Sequence, residues 1–260
     1  MQGSTRYNLG FATVICVVCA IIVSSSAVFL KDRQNTNANL DKKRNVLVAA
    51  GLAEDGEDLS QEEIEERFQP VRQVVIDLAT GEEAPDIDPA SFDYRKEAAD
   101  PGTSREAPEN PSRVQRLAHH ALVYLVQDES GALRTLVLPV EGYGLWGTLY
   151  GFLALEADLN TIRGITFYDH KETPGLGGEV DNPRWKALWD GRRAFDDQLS
   201  PRITVIKGPA GPPSEDPYRV DGLSGATLTG RGVTNLIHFW LGENGFGPFL
   251  EKLRQKGEVG

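Results

Sequence analysis

Residues 7–30, YNLGFATVICVVCAIIVSSSAVFL, contain no charged side chain, and Arg6 and Lys31 close the run at either end. About 20 apolar residues in a helix cross the hydrocarbon core of a bilayer. The run therefore predicts one transmembrane helix centred on residues 11–30, which holds the N-terminus apart from whatever core the rest of the chain builds. A cleaved signal peptide is the alternative, because Ser24, Ser25, Ser26 and Ala27 are small enough to mimic a cleavage site. The run stays apolar through Val28, Phe29 and Leu30 and exceeds a usual signal core, which favours an uncleaved anchor. Cys16 and Cys19 share one helical face and read as small packing residues in lipid. A metal or redox role for them in the membrane is the alternative.

Charge and cysteine use exclude several classes. The 260 residues hold 27 basic and 38 acidic side chains, a net charge of −11, which argues against nucleic acid as a partner. No cysteine follows Cys19, so the remainder has no disulfide, thiolate iron–sulfur cluster or cysteine zinc site. His119 and His120 would point to opposite faces of a strand, so no metal pair is expected there, and no metal site is expected elsewhere. Neither a GxGxxG nor a phosphate-loop lysine motif is present. With no acid inside the apolar run, Na⁺ conduction by this anchor is not expected.

The layout divides into an anchor (1–31), a linker and intermediate region (32–112) and a denser region (113–256). Residues 31–40, KDRQNTNANL, read as a polar linker, and 41–52 as a short helix. Ser60 and Glu63 form a capping box that opens a second helix. Residues 71–78 have strand character and end at a Thr80-Gly81 turn. The proline- and acid-rich stretch 82–112 reads as a surface connection. HHALVYLVQ and LRTLVLPVEG predict a hairpin across Gly131, and GTLYGFLALEA and TIRGITFYDHK two further strands joined through 158–160. DNPRWKALWDGRR predicts a short helix capped by Asn182 with Pro183 at its first position. RITVIKG reads as a strand, GVTNLIHFWL as an amphipathic helix and PFLEKLRQ as a terminal one. Without strict βαβ alternation, the fold class is α+β: a mixed or antiparallel sheet with flanking helices, preceded by the transmembrane helix and a smaller α/β region.

Three glycine-rich segments carry the chemical signal: GYGLWG at 142–147, ETPGLGG at 172–178 and DGLSGAT at 221–227. Glycine lets backbone approach a ligand closely. The third segment leads into a helix, whose N-terminus offers free N–H groups and a positive dipole end suited to a phosphate. Each segment alone is equally well a tight turn.

Together the segments resemble a known family. DGLSGAT resembles the flavinylation motif whose final threonine carries FMN through a phosphoester, and ETPGLG and YGLWG resemble landmarks of FMN-binding domains. The layout of anchor, intermediate region and flavin domain resembles the NqrC family, the C subunits of the Na⁺-translocating NADH:quinone reductases, over nearly the whole chain. The resemblance implies an electron-carrying part of that membrane oxidoreductase, with no complete catalytic activity alone and no catalytic residues of its own. It also implies covalent FMN on Thr227, made by a separate flavin transferase. Electrons would arrive from an iron–sulfur centre in other subunits and leave to a second covalent FMN in a neighbouring subunit, then to ubiquinone. The implied partners are the other subunits of a six-subunit pump, B, D and E above all. The chain has no NADH-binding fingerprint and cannot begin that path. The G subunit of the related Rnf complex is one alternative, and a membrane-anchored FMN-binding module without a redox role another. A threonine-nucleophile hydrolase is disfavoured, since Thr227 is internal and no base is positioned by spacing.

Individual roles follow. Thr227 supplies the esterified hydroxyl. Ser224 and the amides around Gly225 and Ala226 can hydrogen-bond phosphate oxygens. Gly225 leaves room at the hydroxyl, and Asp221 is assigned to recognition or turn-setting. Lys207, at the end of RITVIKG, is the candidate cation beside the phosphate, with a solvated strand-end lysine as the alternative. Leu176, Leu145 and Trp146 are the candidates for the isoalloxazine sandwich, with Tyr143 near the ring or ribityl edge. Thr173 and Glu172 can supply hydrogen bonds. Core packing is the alternative for Trp146.

Sidedness divides the arguments. Lys31, Arg33, Lys42, Lys43 and Arg44 follow the anchor while only Arg6 precedes it, which favours a cytoplasmic C-terminal part. The rule is weak for long trailing segments, and residues 31–260 carry a net charge of −12. The resemblance implies a bacterial inner-membrane protein with the flavin domain in the periplasm, and that is the expectation adopted.

Overall fold

A computed structural model of the chain describes residues 5–256. The chain divides into two compact units, one up to Lys42 and one from Lys43 onward. A single 45-residue helix, α1 (Thr5–Ala49), supplies the first and enters the second. Within it Tyr7–Lys31 is long and apolar enough to cross a membrane, and its side chains are exposed throughout. Thr13 Oγ1 donates to the Leu9 carbonyl at 2.9 Å, which satisfies the hydroxyl inside the helix. The polar stretch 31–40, expected to be a linker, continues the helix instead. Propagating an existing helix needs no new nucleus, and polar side chains that stay exposed lose nothing by it.

In the second unit, α1 ends in a paired cap. Gly51 N–H donates to Val48 O at 3.1 Å and Leu52 N–H to Leu47 O at 2.8 Å, with Gly51 at φ +69°. Helix α2 (Gln61–Phe68) opens with the expected capping box between Ser60 and Glu63. Five antiparallel strands follow: β1 (Val71–Asp77), β4 (His120–Gln127), β5 (Leu133–Tyr143), β6 (Thr148–Glu156) and β7 (Ile162–Asp169), in the order β1-β4-β5-β6-β7. The stretch 82–112 holds a short helix, α3 (Tyr94–Ala99), and β2 (Ser104–Glu106), which pairs with β3 (Arg116–Ala118).

Both faces of the sheet are covered. Alternation places Val123, Leu125, Leu136, Leu138, Leu153, Ile165 and Phe167 on one face, under α5 (Thr227–Leu241) and α6 (Gly247–Lys256). Val75, Tyr124, Val126, Val137, Phe152 and Ala154 are buried on the other, where Phe68 of α2 meets the Tyr124 ring edge-on. There the end of α1 crosses β7, and a Cβ on Gly164 would stand 2.6 Å from Ala49 O.

Between β7 and α5 lies mostly irregular chain. Helix α4 (Pro183–Lys186) is capped by the Asn182 side chain and continues as a 3-10 turn, so that Trp185 and Trp189 pack edge-on at 5.5 Å. RITVIKG forms ladder bonds only at β8 (Thr204–Val205), parallel to β9 (Arg219–Val220). The rest of that segment is the rim of a cleft.

Candidate functional site

The three glycine-rich segments converge near the start of α5. GYGLWG joins β5 to β6, ETPGLGG follows β7, and DGLSGAT runs into the helix. Glycines set the approach. A Cβ on Gly232 of α5 would lie 2.6 Å from Tyr143 O, so the helix sits directly on the first loop. Gly225, at φ +70°, brings the third loop against the second, where a Cβ would meet Leu176 Cδ2 at 2.9 Å.

Glu172 fastens these pieces. It is buried, at 5% exposure. Oε1 accepts the N–H groups of Leu145 and Trp146, both at 2.9 Å, and Oε2 accepts the Thr229 hydroxyl at 2.5 Å. Its own N–H donates to His170 Nδ1 at 3.1 Å. An amide can only donate, so Nδ1 is the unprotonated ring nitrogen and Nε2–H points at Asp181 Oδ2, 2.7 Å away. Both Glu172 oxygens face protein donors, so the carboxylate orders the loops from inside.

Thr227 is the first residue of α5. Ala226 caps the helix without a side-chain hydrogen bond, and among the described residues no protein acceptor meets the N–H groups of Thr227, Leu228 or Thr229. Thr227 and Ser224 are exposed. Together with Gly225, Lys207, Asp221 and Arg231 they line a cleft of about 730 Å³ between α5 and the β8 segment. Asp221 holds the third loop: its Oδ1 accepts Ala210 N–H at 2.9 Å and its carbonyl the Trp185 indole N–H at 2.9 Å. Ala226 is buried behind the loop.

Not every candidate reaches that cleft. Leu145, Trp146 and Leu176 are exposed at 39%, 62% and 45%, on loops adjoining it. Leu228, next to Thr227, is exposed as well, so four large apolar side chains stand out to solvent around the start of α5. Thr173 is exposed, and its carbonyl accepts the N–H groups of Leu176 and Gly178. Tyr143 lies elsewhere, with Arg113 5.1 Å over its ring, and lines a separate 370 Å³ cavity with Glu141 and Tyr150. Burial pushes the Glu141 carboxyl up to about 7 against the pull of Arg95. Among the described residues no cluster of His, Cys, Asp or Glu is arranged to hold a metal ion.

Three positions that shape the candidate site escape a reading of the motifs. Arg231 follows Thr227 by four residues and so shares its helical face, a signal present in the sequence. Thr229 and Gly232 carry no such signal, because their partners lie far away along the chain.

The apolar helix and the three loops that meet at an uncapped helix start define the class: a protein with one helix able to cross a membrane and a domain suited to hold an anionic ligand. The family model for the FMN-binding domain matches residues 144–242. The chain is 49% identical to the C subunit of the Na(+)-translocating NADH-quinone reductase of Pseudomonas aeruginosa, over 99% of each chain, and 44% identical to that of Yersinia pestis, over 98% of this chain and 95% of that one. The crystal structure of Shewanella oneidensis NqrC superposes with a TM-score of 0.76 at 37% identity, covering 84% of this chain and 99% of that one. The chain belongs to the NqrC family, the C subunits of the Na⁺-translocating NADH-quinone reductases.

Proposed function

We propose that this chain is the electron-carrying flavoprotein subunit of a Na⁺-translocating NADH:quinone reductase, with FMN joined by a phosphoester to Thr227. The observation that carries the reading is an exposed hydroxyl at the first position of an uncapped 15-residue helix, in a cleft with two basic side chains. Free N–H groups, the helix dipole and cations all favour a phosphate there. FMN, when bound, supplies reversible electron uptake.

The protein's own groups divide the remaining work. Ser224 and the amides near Gly225 and Ala226 bind phosphate oxygens, with Lys207 as a counter-charge. Leu145, Trp146 and Leu176 cover the isoalloxazine and Thr173 bonds to it, whereas Tyr143, which lines a separate cavity, is given no contact with the ring. Glu172 acts through the loops that it ties. Residues 113–256 form the flavin-binding part and 1–31 the anchor, with the soluble part in the periplasm, where a flavin transferase loads it. The B, D and E subunits are the neighbours that exchange electrons with it or carry them on toward ubiquinone.

The test is intact mass after denaturation, with and without the transferase. Wild type should gain one FMN only with it, Thr227→Ala none, and Ser224→Ala a reduced fraction. Covalent flavin surviving acid precipitation in Thr227→Ala would refute the assignment.

A further inference from the structure

We propose that Arg231 and Lys207 form a clamp that seats a flavin's phosphate non-covalently against Thr227 before the ester is made, and that Arg231 selects phosphorylated flavin over unphosphorylated flavin. The proposal rests on Thr227 being the attachment point.

Lys207 and Arg231 line the same cleft from different walls, the lysine after β8 and the arginine on α5. The walls are fixed to each other. Val205 N–H donates to Thr234 Oγ1 at 2.9 Å, and a Cβ on Gly230 would come within 3.0 Å of Val205 Cγ1. Helical side chains lean toward the N-terminus, so Arg231 covers the turn that carries Thr227.

Neither cation is tied to an acid. Lys43, Lys186, Lys252, Arg67, Arg72, Arg95, Arg163 and Arg219 all have carboxylate partners. Among the described residues Lys207 and Arg231 form no ion pair, as is also true of Arg113, Arg134 and Lys171; what sets these two apart is that both line the cleft beside Thr227. Among the described residues the one carboxylate lining the cleft, Asp221, accepts the Ala210 amide.

Charge separates the free ligand from the product. Attachment forms the bond from the Thr227 oxygen to phosphorus as the bond from that phosphorus to the second phosphate of a flavin diphosphate breaks, that phosphate leaving with its substituent. The diphosphate brings about two negative charges, as does the phosphomonoester used as a probe, and the finished phosphodiester one. Two cations therefore match the ligand before attachment better than after it. An arginine can take two phosphate oxygens in its planar fork, which a lysine cannot.

The experiment uses the full chain in detergent, made without flavin transferase, with flavin fluorescence as the readout. FMN should bind well above riboflavin, and inorganic phosphate should compete for FMN alone. Arg231→Gln should weaken FMN by about tenfold, the worth of a charged hydrogen bond, and leave riboflavin unchanged. Arg231→Lys should fall between. Equal FMN affinity in wild type and Arg231→Gln would overturn the clamp, as would equal loss of FMN and riboflavin, or a wild type that does not prefer FMN. Thr227→Ala should carry no covalent mass when the transferase is supplied. Covalent mass on that variant would sink the attachment reading, whereas the affinities judge the clamp.

Discussion

The Thr229 hydroxyl donates to Glu172 Oε2 at 2.5 Å across 57 residues of sequence, and the other oxygen of that carboxylate caps the Leu145 and Trp146 amides. One buried acid thereby joins three segments that share no strand or helix. Glu172→Ala leaves two amides and a hydroxyl without an acceptor, and should cost roughly 2–4 kcal/mol. Glu172→Gln keeps an acceptor for the amides and should cost less. Urea unfolding followed by tryptophan fluorescence checks both, and equal stability of all three proteins would contradict the role.

Gly232→Ala should destabilise the protein although alanine is the better helix former by about 1 kcal/mol. The added methyl meets backbone, Tyr143 O at 2.6 Å and Gly144 Cα at 3.0 Å, and neither can swing aside. A net loss of about 1–3 kcal/mol is expected from overpacking. A raised melting temperature would show that helix and loop are not in contact.

Glu141 predicts a pH dependence. Burial raises its carboxyl from 4.5 to about 7 in the folded chain, so folding favours the neutral acid. Its contribution is fully present below about pH 4.5 and is lost as pH rises through 7, a swing of up to about 3 kcal/mol. Glu141→Gln should flatten the wild-type decline in stability between about pH 5 and 8, measured against urea. An unchanged slope would assign that decline to other groups.

A reporter fused after Gly260 tests sidedness. Alkaline phosphatase active at that position supports a periplasmic domain; activity of a reporter that matures only in the cytoplasm contradicts it.

The sheet was legible because its strands declare themselves locally: Thr135, Leu136, Val137 and Leu138 form a β-branched and apolar run buried on both faces, and Gly131 marks the turn. The length of α1 was not, because Gln34 to Asn39 offer no apolar pattern and a helix that propagates outward needs none. RITVIKG has the β-branched residues of a full strand, yet only Thr204 and Val205 find a partner ladder. In the candidate site, the shared place of Thr227, Ser224 and Gly225 was readable because they lie in one short segment. Lys207 joins them in the cleft although it lies far from them in sequence. The inward turn of Glu172 was invisible, since nothing near it in sequence announces Thr229.

Helix α5 is held along β5 at three heights. Gly232 rests on Tyr143, Leu236 on Gly142, and the Trp240 indole donates to Glu141 O at 2.7 Å. The backbone at Thr227 is thus the end of a braced rod. A β-branched side chain adds one stiff torsion to it. A group esterified to Thr227 would take its point of attachment from the sheet, so that the anchor point is fixed while any reach comes from the bonds of the group itself.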